Sequence, residues 1–163
     1  MTINKSKGFT IIELLVVVAI IAVLAAIVLV NVTGYINQGK NAAIKGNMAT
    51  MLTNGAVWFD NNGNYGNFST NAVYTAPAAA AQSANGGTAL TFGCRYLAGG
   101  SGCTNAATDA PTAWCAVSAV KAVSGSTNTL FCVDSTGAKI DYTSGTQASH
   151  CSTGSAATDG VCK

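Results

Sequence analysis

Between Phe9 and Val30 the chain reads F-T-I-I-E-L-L-V-V-V-A-I-I-A-V-L-A-A-I-V-L-V, an apolar run broken by one charge, Glu13. As a helix, at ~1.5 Å rise per residue, it spans roughly 33 Å, enough to cross the hydrocarbon core of a bilayer. Lys5 and Lys7 lie just before it, and no further base follows until Lys40. The positive-inside rule therefore puts the N-terminus in the cytoplasm and the bulk of the chain outside. A secretory signal has a shorter apolar core and a small-residue cleavage site at its far end, so it does not describe this run. An ordinary anchor explains the length but not the acid. A charge near the bilayer centre costs at least ~2.5 kcal/mol, so Glu13 calls for a partner.

The remainder fits an oxidising exterior. Six cysteines, Cys94, Cys103, Cys115, Cys132, Cys151 and Cys162, all lie in the second half. None are spaced C-x-x-C and His150 is the only histidine, so a zinc site is not expected and disulfides are. Charged residues make up 9 % of the chain, with a net charge of +2. The bases are scattered and form no nucleic-acid patch. No P-loop, G-x-G-x-x-G, G-x-S-x-G or H-E-x-x-H is present, and the aspartates are too spread for a calcium loop. Neither an enzyme nor a cofactor is expected.

Past Val30 a helical rhythm continues through Val32, Tyr35, Ile36, Ala42, Ala43, Met48, Met51 and Leu52 to Val57-Trp58-Phe59. This predicts one continuous helix, apolar all round over residues 9–30 and amphipathic over 31–59. Gly34, Gly39, Gly46 and Gly55 each weaken it by roughly 0.8–1.0 kcal/mol relative to alanine. D-N-N-G-N-Y-G then ends the helix and opens a head over residues 60–163. Residues 67–87 read as loop, with at most a helical turn at Ala78–Ala81, because Pro77 and Gly86-Gly87 bound it closely. Strand signals cover Thr88–Leu97, Thr112–Val123, Thr129–Asp134 and Ala138–Tyr142. Asp134-Ser135-Thr136-Gly137 is the turn between the last two, with Gly137 suited to positive φ. In the second of these segments Trp114, Ala116, Ser118 and Val120 share one face, and Cys115, Val117, Ala119 and Lys121 the other. The fold class is therefore α+β: a long N-terminal helix packed on a small antiparallel sheet of three to four strands. Of fifteen possible connectivities, the strand map favours Cys94–Cys103 closing a Gly-rich loop, Cys115–Cys132 between neighbouring strands, and Cys151–Cys162 pinning the tail.

The string K-G-F-T-I-I-E-L-L-V-V-V-A-I-I-A, from Lys7 on, resembles the N-terminus of type IV pilins and the related pseudopilins. Where many pilins carry a proline near Val30, this chain has none. The resemblance implies a leader, residues 1–8, removed by a prepilin peptidase between Gly8 and Phe9, and N-methylation of Phe9. Such a cut creates an α-amine cation on Phe9, one helical turn from Glu13. The two groups can meet within one chain or between neighbours, and the resemblance implies neighbours. It also implies copies of the chain in a helical filament, and an inner-membrane assembly platform with its ATPase. The expected life history is a single-pass, N-in precursor in the cytoplasmic membrane, followed by an extracellular pilus. The alternatives are a periplasmic pseudopilus of a type II secretion or DNA-uptake machine, and an adhesin tethered by an uncleaved anchor.

Overall fold

The computed structural model describes residues 8–95, 111–123, 129–153 and 159–163, with backbone alone at 30 and 31. Helix α1 runs Ile11–Asn62, 52 residues. The chain divides into two units, Met1–Ile36 and Asn37–Lys163.

In the first unit the helix has no apolar partner among the described residues. Side chains from Phe9 to Leu29 are exposed, and the most apolar stretch of α1 has a mean hydropathy of 3.3. This is a helix long and apolar enough to cross a membrane.

In the second unit, α1 buries Ile44, Met48 and Met51 completely, and Gly55 with them. Their spacing of four, three and four keeps them on one stripe. The expected stripe was offset: Ala42 and Ala43 face solvent, while Ile44 supplies the buried contact. The helix also continues to Asn62, past Phe59. Gly63 ends it at φ 70°, its N–H bonded to the Phe59 carbonyl, in the left-handed C-cap that glycine adopts without strain.

The strands form a four-stranded antiparallel meander: β1 Thr91–Arg95, β2 Ala113–Ala119, β3 Leu130–Asp134 and β4 Lys139–Tyr142, in that order. The period of two divides it as the sequence indicates. Trp114 and Ala116 of β2, with Phe131 and Val133 of β3, join Ile44, Met48 and Met51 in the main core. Fully buried Phe68 sits at its centre, with the rings of Trp58, Tyr74, Phe92 and Trp114 at centroid distances of 5.1–6.4 Å. Cys115, Val117, Leu130 and Cys132 point to the opposite face, where Cys151 covers them.

Residues 67–87 are where the structure departs most from expectation. A 3-10 turn, Phe68–Thr70, leads into helix α2, Ala72–Asn85, with Pro77 inside it. Proline removes the N–H that would bond the carbonyl four residues back, here Val73. Asn54 of α1 donates its Nδ2 to that carbonyl instead. Asn71 caps the start by accepting from the Val73 N–H, and Gly86, at φ 95°, closes the end. Alanine-rich α2 is thus stabilised through a side chain 19 residues upstream, which no local reading of Pro77 reveals.

The expected pairings Cys115–Cys132 and Cys151–Cys162 are replaced by Cys115–Cys151 and Cys132–Cys162. Register explains the difference. Cys115 lies opposite Asp134, and Cys132 opposite Val117, so the two cysteines are diagonal neighbours. Diagonal positions on one face are ~7–8 Å apart, beyond the usual Cα separation of a disulfide. Each reaches instead to the C-terminal segment, with Cα separations of 5.7 and 6.0 Å. Cys94 is disulfide-bonded, and the expected pairing to Cys103 lies outside the described residues. The segment begins with a short helix, α3, Gln147–His150. Gly93 admits it, because a Cβ there would stand 2.5 Å from the Ser152 carbonyl oxygen.

Two helix glycines carry opposite expectations. A Cβ on Gly46 meets nothing within 4 Å, so Gly46→Ala should stabilise the head by the helix-propensity gain, ~0.8–1.0 kcal/mol. A Cβ on Gly55 would stand 2.8 Å from Nε1 of Trp114, which is fully buried and cannot retreat. Overpacking of ~1–3 kcal/mol should outweigh the same propensity gain, making Gly55→Ala destabilising. Thermal unfolding followed by near-UV circular dichroism distinguishes the two signs.

Candidate assembly site at the helix N-terminus

Gly8, Phe9 and Thr10 precede the helix in non-helical backbone and are exposed, Phe9 at 76 %. The first turn is built by Thr10 and Glu13 together. Glu13 Oε2 accepts from the Thr10 backbone N–H at 2.9 Å and from its hydroxyl at 2.8 Å. The Glu13 N–H in turn donates to Thr10 Oγ1 at 3.3 Å. This reciprocal capping box satisfies backbone donors that a helix start otherwise leaves open. It also places a negative charge at the positive end of the helix dipole.

Thr10 is the residue of this candidate site that the sequence reading does not single out. Its signal was present, since T-I-I-E is the S/T-x-x-E pattern. The cap gives the carboxylate two protein donors within its own chain. Both act on Oε2, and Oε1 has no partner among the described residues. Glu13 thus has one oxygen held in place and one open to a cation. Gly8, Phe9 and Glu13 therefore lie within one short segment, as their spacing indicates. The tail cysteines belong to the other unit and to its stability.

The N-terminal segment matches the model of the prokaryotic N-terminal methylation motif over residues 3–29, a span that includes Gly8, Phe9, Thr10 and Glu13. The chain is 45 % identical over 50 residues to a type IV major alpha-pilin of Moraxella bovis. The match covers 31 % of this chain and 31 % of that protein. No solved structure matches. The chain is thus similar to type IV pilins over its N-terminal segment.

Proposed function

We propose that the chain is a structural subunit. It is cut between Gly8 and Phe9 by a prepilin peptidase, methylated on Phe9, and polymerised through its N-terminal helix into an extracellular pilus. The observation that carries this reading is an apolar helix exposed on all sides, with an acid in its first turn that keeps one carboxylate oxygen open. Lipid covers the helix before assembly, and copies of itself cover it afterwards. Head-to-tail contacts related by a rotation that does not close generate an open helical filament. Ala19, Ala22, Ala25 and Ala26 allow helix backbones to approach closely in such a bundle.

Registration is the task assigned to Glu13. Cleavage converts the Phe9 amide nitrogen into a cation, and Oε1 of a neighbouring Glu13 is its counter-charge. A buried charge left without its partner costs ~3–5 kcal/mol, so a slipped stagger is penalised. Extraction from the membrane is the work of an inner-membrane platform and its ATPase.

The test is the mature N-terminus. Filaments sheared from cells should contain this chain beginning at a methylated Phe9, as read by mass spectrometry. Gly8→Leu should leave full-length precursor in the membrane and no filaments. A subunit that starts at Met1, or a chain confined to the envelope and absent from sheared filaments, overturns the proposal.

A further inference from the structure

The segment joining α1 to α2 contains Asn67-Phe68-Ser69, the acceptor tripeptide of asparagine-linked glycosylation. The tripeptide alone selects little, because many unmodified chains carry it. The geometry of Asn67 is more selective. At φ 57° and ψ 6° it is the one non-glycine residue with positive φ among the described residues. Asparagine is tolerated in this left-handed region because its short amide can bond to nearby backbone. Asn67 makes no such bond, and its side chain does not cap the 3-10 turn that follows. Every other asparagine of the second unit whose side chain is described makes a side-chain hydrogen bond. Asn67 is exposed, and the hydroxyl of half-buried Ser69 is likewise without a partner among the described residues. Glycine would serve the turn with less strain. The amide and the hydroxyl of the tripeptide are therefore displayed at the surface and used by nothing in the fold.

We propose that Asn67 is an N-glycosylation site, modified on the outer side of the membrane by transfer from a sugar carried on a lipid phosphate. Nδ2 of Asn67 attacks the anomeric carbon and the N–C bond forms. The C–O bond to the phosphate breaks, the lipid phosphate leaves with that electron pair, and one Nδ2 proton passes to solvent. Phe68, between the two polar residues, is fully buried at the centre of the core. The folded head cannot release the tripeptide into an enzyme, so transfer precedes folding; the finished fold then seats Phe68 and leaves the glycan outside. The other matching tripeptide, Asn31-Val32-Thr33, is the internal control. Its backbone lies within α1, directly after the apolar run, and Thr33 Oγ1 donates to the Leu29 carbonyl at 3.4 Å. A membrane-spanning backbone is helical from insertion onward, so Asn31 should stay unmodified. The inference needs only that the head reach the outer side, which its disulfides independently require. It does not depend on cleavage or on filaments.

The test is the mass of the full chain, purified in detergent from the envelope of the cells that encode it. Most molecules should carry a saccharide mass, which fragmentation of the peptides places on Asn67 and not on Asn31. Asn67→Gly keeps the positive φ without strain, and Ser69→Ala removes only an unbonded hydroxyl. Expressed in the same cells, both variants should lose the added mass completely while keeping a native near-UV circular dichroism spectrum. The proposal is overturned if Asn67 of the parent chain is unmodified. It is equally overturned if the saccharide lies on Asn31 or on a hydroxyl side chain, or if Ser69→Ala is modified as fully as the parent. The mass is read whether or not the chain assembles, so failure here leaves the filament reading untouched, and absent filaments leave this one untouched.

Discussion

Asp134→Ala should cost the head at least ~3 kcal/mol, and Asp134→Asn should recover less than half of that loss. The carboxylate is 1 % exposed and serves two structures at once. Oδ1 accepts from the Thr136 N–H at 2.8 Å, the Thr136 hydroxyl at 2.6 Å and the Ala138 N–H at 3.2 Å, which shapes the β3–β4 turn. Oδ2 accepts from the Cys162 N–H at 2.8 Å, which seats the C-terminal segment beside its disulfide. Each buried donor left unsatisfied costs ~1–3 kcal/mol, although water can reach exposed Thr136. Asparagine can keep the turn-side acceptor, but its Nδ2 then faces the Cys162 N–H, donor against donor. Against a typical total of ~5–15 kcal/mol, alanine removes a large fraction of the stability. The measurement is thermal unfolding of the full chain in detergent, with a fall in midpoint of roughly 10 °C expected for alanine. An asparagine variant as stable as the parent would show that the bond to the tail contributes nothing.

The tail also shows where sequence reasoning stops. The four strands, the two faces of β2 and the positive φ of Gly137, 95° here, follow from period-two patterning and turn chemistry, which are local. The disulfides depend on register. Sequence placed Cys115 and Cys132 on adjacent strands, but a two-residue offset between them turns a plausible bridge into two bridges to the tail. Helix α2 was hidden for a related reason. Its one adverse residue, Pro77, is compensated by Asn54 from another helix, and long-range hydrogen bonds leave no periodic trace. The missing Cβ of Gly55 likewise gains its meaning only from Trp114, 59 positions on in the chain numbering. At the N-terminus nearly everything acts within one helical turn, so Gly8, Phe9 and Glu13 could be singled out directly. Thr10 is legible there as well, through the T-I-I-E capping pattern.

That double use of Glu13, as cap and as charge, sets up an expected result that separates the two. Glu13→Gln keeps an oxygen able to accept from Thr10, and glutamine serves at this position of a capping box as glutamate does. It removes the charge. Thr10→Val does the reverse: the carboxylate keeps its charge but loses its hydroxyl partner, at a helix-capping cost of ~1 kcal/mol. Both variants should still be cut after Gly8, because the cleavage bond lies outside the helix. Thr10→Val should still assemble. Glu13→Gln should assemble as poorly as Glu13→Ala, with sheared filament yield down at least ~10-fold, because on the proposed assembly each subunit would then bury a Phe9 cation without a counter-charge, a deficit of ~3–5 kcal/mol. The helix start in micelles, followed by amide exchange at residues 11–14, should be loosened in Glu13→Ala and Thr10→Val and near native in Glu13→Gln. If glutamine restores normal filaments, capping is the acid's whole purpose and the registration role fails. If Thr10→Val alone abolishes assembly, the cap rather than the charge governs it. Only a normal cap combined with failed assembly in Glu13→Gln assigns the open Oε1 to a neighbour's amine.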